Sequence, residues 1–110
     1  MKILFVSGGS YERLVKEAFR DPETRLTISE GYSDCLFLLQ TFTPDLIITN
    51  DLLPDSTGYD LVKSIKEIKN DLSVVLLRDS TTEKALDDSL FSKIINMPTD
   101  PIALKKAICM

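Results

Sequence analysis

Histidine is absent from this chain of 110 residues, and cysteine occurs only twice. Histidine is the commonest general base near neutral pH and the commonest metal ligand, so its absence leaves the chain without the usual side chain for either role. The two cysteines, Cys35 and Cys109, form neither a C-x-x-C motif nor a metal-ligand spacing. We therefore expect two reduced thiols rather than a disulfide or a thiolate metal centre.

The chain also lacks an excess of positive charge and any long apolar run. Its formal net charge is -4. An acidic chain gains nothing from nucleic-acid phosphates or anionic lipids, so we expect neither nucleic acid nor a membrane as a partner. No apolar run approaches the ~20 residues that a membrane-spanning helix needs, and the apolar start Met1–Val6 is too short for a signal peptide. We expect a cytoplasmic location.

What remains is the composition of an ordinary globular protein, with 44% hydrophobic and 27% charged residues. The length suits one compact domain over residues 1–110. Apolar patterns predict strands over Lys2–Val6, Arg25–Ser29, Asp45–Asn50, Ser73–Leu77 and Phe91–Asn96. Helical spacing predicts helices over Tyr11–Arg20, Ser33–Phe42, Tyr59–Lys69 and Thr81–Leu90, with a last helix opening at Asp100-Pro101. Five βα units in succession predict a parallel sheet with helices on both faces.

Local signals refine the ends and faces of these helices. Ser10 is the expected N-cap of the first helix, and Ser33 or Asp34 that of the second. The last helix is expected to contact the core through Ile102, Leu104 and Ile108. Ligands of open α/β sheets bind outside the carboxyl ends of the strands. The turn Ser7–Ser10, the loop Asn50–Gly58 and the residues that follow the last two strands are therefore the places to look for function.

The segment Pro44–Tyr59 resembles the central strand and active-site loop of a response-regulator receiver domain, of the CheY-like superfamily. In that family a proline lies four residues, and a glycine eight residues, after the aspartate that accepts a phosphoryl group. Pro54 and Gly58 hold those places and point back to Asn50. The run Met97–Pro101 is similar to the family's Lys-Pro-Phe-Asp-Pro. The resemblance covers nearly the whole chain and implies a flavodoxin-like (βα)5 three-layer sandwich with a parallel sheet of order 2-1-3-4-5.

The resemblance fails at the five groups on which the family's chemistry depends. Those groups are an acidic pair, the phosphoacceptor aspartate, a threonine or serine, and a lysine; their places are held here by Ser7, Gly8, Asn50, Arg78 and Met97. An amide cannot act as a carboxylate nucleophile, and magnesium finds no cluster of negative oxygens. The position of the family's aromatic switch residue holds Ile94. We expect a degenerate phosphorylation site with no catalytic residue, no metal and no cofactor.

These replacements predict a phosphorylation-independent signalling module rather than an enzyme. It would act through protein–protein interaction in bacterial two-component-type signal transduction. The resemblance places the partner surface, or a homodimer interface, on the helix Thr81–Leu90, the fifth strand and the last helix. Phe37 lies where the matching helix position faces solvent, either as a singly exposed aromatic or as part of a partner surface.

Two other functions stay open at this point. In the first, Arg78 and the turn residues Ser7, Gly9 and Ser10 bind a small anion or a nucleotide; the alternative is that Arg78 pairs internally with Asp51, Asp55 or Asp79. In the second, Asp51 accepts the phosphoryl group, which requires a local bulge because adjacent strand residues face opposite ways. The three aspartates could also form a weak cation site, against the simpler interpretation of a solvated acidic rim.

Overall fold

The computed structural model describes residues 1–79 and 89–109, in which strands and helices alternate along the chain. The strands are β1 (Lys2–Val6), β2 (Arg25–Ser29), β3 (Leu46–Asn50), β4 (Ser73–Arg78) and β5 (Lys93–Asn96). The helices are α1 (Glu12–Ala18), α2 (Tyr32–Leu38), α3 (Gly58–Ile68) and α4 (Pro101–Cys109). The helix predicted over Thr81–Leu90 falls almost entirely on residues outside this description. None of the described helices is long and apolar enough to cross a membrane.

The five strands form one parallel sheet in the order β2-β1-β3-β4-β5. This confirms the predicted flavodoxin-like topology. The uninterrupted apolar run of β3 predicts a central strand, and all five of its residues are buried between β1 and β4. Because all strands point the same way, the residues that follow β1, β3, β4 and β5 lie along one edge of the sheet.

Side chains that alternate along the strands fill two separate cores, one on each face of the sheet. On one face Leu4, Ile47 and Leu76 pack with residues of α2 and α3. On the other face Phe5 and Ile48 pack with residues of α1 and α4. Helices on both faces of the sheet give the predicted three layers.

The predicted caps of the first two helices are wrong. Helix α1 is preceded by Tyr11, which has a φ of 67° and makes no side-chain cap bond, so Ser10 is not its N-cap. Helix α2 is preceded by Gly31, and neither Ser33 nor Asp34 caps it. Serine and aspartate are common N-caps. Such a residue caps a helix only when it stands at the position where the helical backbone conformation begins.

The last helix contacts the core with fewer residues than predicted. Leu104 is fully buried and Ile108 packs against the same cluster, as expected for residues four apart on one helix face. Ile102 is 72% exposed, so its predicted core contact is wrong. Two positions before Leu104, it lies on another side of the helix. On α2, Phe37 is 67% exposed, in agreement with its expected solvent-facing position.

Candidate functional site

Asn50, the last residue of β3, links the central strand to the turn after β1. Its side-chain Nδ2 donates a hydrogen bond to the carbonyl oxygen of Ser10 at 2.9 Å. The residue is 3% exposed, and its buried Oδ1 has no hydrogen-bond partner among the described residues. The amide is neutral, and its one observed bond requires a donor that a carboxylate lacks.

Gly8, which the resemblance aligns with the second residue of the family's acidic pair, leaves no room for a side chain. A Cβ atom built there would lie 2.1 Å from the carbonyl oxygen of Leu52 and 3.4 Å from Nδ2 of Asn50. The first distance is far inside van der Waals contact, and the obstacle is backbone rather than a side chain that could rotate away. In this conformation the loop after β3 lies where a carboxylate would have to begin.

Ser7, the first position of that pair, is buried and forms bonds within its own turn. Its backbone N–H donates to the carbonyl of Ser29 at 2.9 Å, which extends the pairing of β1 with β2. Its Oγ accepts a hydrogen bond from the N–H of Gly9 at 3.0 Å. Ser7 therefore stabilises the turn and takes up one of the amides that a bound anion would need.

These residues do not fit the magnesium ion that the resemblance to receiver domains implies. Magnesium needs oxygen ligands, usually carboxylates, in near-octahedral geometry. Ser7, Gly8 and Asn50 contribute no carboxylate, and residues 1–79 and 89–109 contain no group of three or more acidic, cysteine or histidine side chains placed to hold a metal. The cation site considered for Asp51, Asp55 and Asp79 is therefore not formed.

Asp51 lies beside Asn50 and is directed at the end of β4. It is 5% exposed, and its Oδ2 accepts a hydrogen bond from the N–H of Asp79 at 3.0 Å. Its backbone carbonyl accepts a second bond from the N–H of Gly58 at 2.9 Å. Burial raises the pKa of the Tyr11 hydroxyl, and the charges of Asp79 and then Asp51 raise it further. Asp51 thus joins the loop after β3 to α3 and to the end of β4.

Arg78 is half-buried at the end of β4 and is directed across the sheet. Its Nε donates to Oδ1 of Asn96 at 3.1 Å, and its Nη1 donates to the hydroxyl of Tyr59 at 3.5 Å. The ring of Tyr59 meets that of Phe91 edge to face, with centroids 5.3 Å apart. Sequence reasoning missed these neutral partners; the signal was that Asn96 ends β5 as Arg78 ends β4.

Two of the candidate anion residues, Ser7 and Gly9, line a cavity that, within the described part of the chain, does not extend to Arg78. A cavity of about 630 Å³ borders the turn after β1, and its lining includes Ser7, Gly9, Glu12 and Glu30 but not Arg78. Glu12 and Glu30 place negative charge beside the turn, which opposes an anion. Lys16 also lines this cavity and is paired with Glu12 at 3.4 Å. Anion binding stays a prediction without support from this geometry.

Met97, at the position that the sequence resemblance assigns to a lysine, is 3% exposed and packs in the same core as Phe5 and Leu104. An apolar side chain suits this buried position, where an unpaired ammonium group would be costly. The bond between Met97 and Pro98 is a cis peptide. Ile94, at the position that the resemblance assigns to an aromatic switch residue, is half-buried and packs against the core on the side of α2 and α3.

Asp55 caps helix α2 from a distance, a contact that the sequence did not reveal. Its two carboxylate oxygens accept hydrogen bonds from the N–H of Tyr32 at 2.8 Å and of Ser33 at 3.1 Å. These bonds hold the pKa of Asp55 below its usual value. A Cβ atom at Gly31 would lie 2.7 Å from Oδ1 of Asp55, so the absence of a side chain at Gly31 lets the carboxylate approach. The loop after β3 is thereby fixed to α2.

Comparison with known proteins gives matches among solved structures alone. No protein-family model and no curated protein matches the chain. The response regulator TrrA of Thermotoga maritima, solved in complex with Mg²⁺ and BeF, is 20% identical with a TM-score of 0.85, over 98% of this chain and 96% of that one. The receiver domain of the Francisella response regulator 1452 is 18% identical with a TM-score of 0.83, over 98% and 93% of the two chains.

A response regulator receiver domain from Clostridium thermocellum extends the same result, at 18% identity and a TM-score of 0.80 over 98% of this chain and 90% of that one. At such identities the likeness concerns the fold and does not extend to the chemistry. It agrees with the observed strand order and with the helices on both faces of the sheet. The structural neighbours of this chain are thus response regulator receiver domains, and the chain shares their fold.

Proposed function

We propose that this chain is a phosphorylation-independent receiver-like module that works through protein–protein interaction in bacterial two-component-type signalling. The observation that carries the proposal is Asn50, a buried neutral amide bonded to Ser10 at the carboxyl end of the central strand. The sequence resemblance aligns Asn50 with the aspartate that attacks the phosphoryl group in receiver domains. The module would act in the cytoplasm as a single domain over residues 1–110.

The surroundings of Asn50 support the same proposal. Phosphoryl transfer depends on a positioned nucleophile and on cations that neutralise the transferring group. Gly8 has no space for a carboxylate, and Met97 contributes an apolar side chain in place of an ammonium group. Each of these residues is explained by packing or by internal bonding, without a ligand. The module would therefore bind its partner in one constitutive form.

The last helix offers a surface suited to such a partner. Ile102 is a large apolar side chain with 72% exposure. It borders a cavity of about 670 Å³ whose lining also includes Ala18, Pro101 and Lys105. Exposed apolar residues beside a concavity are typical of interaction sites. We propose that the last helix contributes to the partner surface, together with the fifth strand and the segment Thr81–Leu90, or to a homodimer.

The decisive experiment is incubation of the purified protein with acetyl phosphate and magnesium, followed by intact-mass measurement. We expect no phosphoryl adduct, whereas a receiver domain with all five groups, treated in parallel, gains one. Asn50→Asp alone should also gain none, because the space at Gly8 is still filled and the lysine is still missing. A stable adduct on the wild-type chain, abolished by Asp51→Asn, would replace the proposal with an Asp51 switch.

A further inference from the structure

Arg78 connects three elements at the carboxyl edge of the sheet. It ends β4, and its partner in the strand register is Asn96, which ends β5. The Nε–H of Arg78 binds the Asn96 side chain at 3.1 Å, while Nη1 reaches the Tyr59 hydroxyl on α3 at 3.5 Å. One side chain therefore holds β4, β5 and the first turn of α3 together.

Tyr59 extends this connection to the other end of β5. The tyrosine is 8% exposed, and its ring meets Phe91, which is also 8% exposed and comes just before β5. The neighbouring Ser92 N–H donates to the carbonyl of Val74 at 2.8 Å. Strand β5 is thus fixed to the same tyrosine at its start, through Phe91, and at its end, through Arg78 and Asn96.

The chemistry of arginine suits this arrangement. A guanidinium group presents several N–H donors in a rigid plane, so it can satisfy two acceptors on different elements at once. Hydrogen bonds from a charged donor are stronger than those between neutral groups. A serine or threonine has one short hydroxyl and cannot bridge the same two acceptors. A shift of β5 against α3 would have to break the contact of Arg78 with Asn96 or its contact with Tyr59.

Asp79, the residue after Arg78, connects the end of β4 to the loop after β3, on the side away from β5. The N–H of Asp79 donates to the carboxylate of Asp51, whose carbonyl in turn accepts from Gly58 at the start of α3. The end of β4 is therefore joined through its side chain to β5 and through its backbone to the loop after β3. Both routes meet in the first turn of α3.

We propose that Arg78 is a clamp that holds β5 in one position against β4 and α3. This goes beyond the proposed function, because the clamp would restrict β5 whether or not the chain accepts a phosphoryl group. Arg78 is a positioning residue here, and its contribution is a restriction of movement rather than contact with a ligand.

The test compares backbone hydrogen exchange in wild type, Arg78→Met, Arg78→Lys and Tyr59→Phe. The reporter is the N–H of Met97, which donates to the carbonyl of Arg78 at 2.8 Å. Arg78→Met removes both side-chain contacts and should raise the exchange rate of this amide by at least about three- to tenfold, the change expected for one hydrogen bond, while amides in the middle of β3 keep wild-type protection. Arg78→Lys should behave like Arg78→Met, because an ammonium group lacks the planar fork.

The matched control is Arg25→Met, at the start of the opposite edge strand β2, which should leave the Met97 amide unchanged. Adding Tyr59→Phe to Arg78→Met should change the exchange rate of the Met97 amide little further, because both substitutions remove the contact between Arg78 and Tyr59. Wild-type exchange at Met97 in Arg78→Met, or a uniform rise over the whole sheet, would overturn the clamp. A phosphoryl adduct on the wild-type chain would overturn the proposed function and leave this exchange result intact, so the two failures are distinguishable.

Discussion

Asn50→Asp is the substitution whose cost can be worked out most fully from the structure. The variant loses the donor that binds the Ser10 carbonyl and places an ionised carboxyl group at a site that is 3% exposed, 2.9 Å from that carbonyl oxygen. A protonated carboxyl group could restore the bond to Ser10. The variant would therefore fold with this carboxyl group neutral whenever protonation costs less than burying the charge.

Folding with the carboxyl group protonated sets the upper limit of the loss in the free energy of unfolding. Protonating a carboxyl group whose unfolded-state pKa is about 3.9 costs about 4 kcal/mol at pH 7, since each pH unit contributes about 1.4 kcal/mol. The sign follows from linkage: a group whose folded-state pKa is raised destabilises above its unfolded pKa, and the penalty disappears as the pH falls towards that value. We expect a loss of about 2–4 kcal/mol at pH 7, shrinking to about 1–2 kcal/mol at pH 5.

Urea unfolding of wild type, Asn50→Asp and Asn50→Leu at both pH values measures this directly. Asn50→Leu loses the same bond without adding a charge, so its cost, about 1–3 kcal/mol, should not depend on pH. Equal stability of Asn50→Asp and wild type at pH 7 would refute the burial argument. Strong stabilisation of Asn50→Asp by millimolar magnesium would refute the conclusion that the surrounding residues do not fit a metal.

Three further substitutions or treatments test other contacts. Gly8→Ala should lower the free energy of unfolding in urea by more than about 2 kcal/mol, because its Cβ would lie 2.1 Å from the Leu52 carbonyl oxygen. Gly9→Ser should cost less: a Cβ atom at Gly9 meets no described atom within 4 Å, although the φ of +92° is unfavourable for a side chain. The lowered pKa of Asp55 means that its cap stabilises at neutral pH and is lost as the pH falls below its unfolded value of about 4. Asp55→Asn should therefore flatten the acid dependence of unfolding between about pH 5 and pH 2; an unchanged profile would contradict the cap. Burial raises the pKa of the Cys35 thiol to about 12, so iodoacetamide at pH 8 should modify Cys35 only after the protein is unfolded by urea, as read by mass spectrometry; rapid modification of the native protein would show that the thiol is accessible.

Most of the fold could be predicted from local patterns. The continuous apolar run of β3 and the amphipathic spacing of α3 depend on residues close together in sequence, and both elements formed where predicted. Helix α3 even has a local cap, since Thr57 accepts a hydrogen bond from the N–H of Asp60 at 3.1 Å. Such short-range signals report strand and helix formation directly.

The contacts that decide the site come from residues far apart in sequence. Asp55 caps α2 across 22–23 positions, and Arg78 binds Asn96 across 18. No periodicity encodes such pairs, so sequence reasoning assigned the caps to Ser10 and to Ser33 or Asp34, and it did not foresee the contact of Arg78 with Asn96. The sequence shows that Gly8 has no carboxylate to offer. The reason that no side chain fits at this position is the nearby carbonyl of Leu52, which only the structure reveals.

The contact between Gly8 and Leu52 also bears on how this chain could change in evolution. A single codon change at Asn50 would supply an aspartate, yet a second acidic residue at position 8 meets the backbone of the loop after β3. Acquiring an acidic pair would require that loop to move first, and it is fixed to α2 by Asp55 and to α3 by Asp51. Acquisition through single tolerated steps is therefore obstructed, and an experiment to build such a site should begin by transplanting the whole loop.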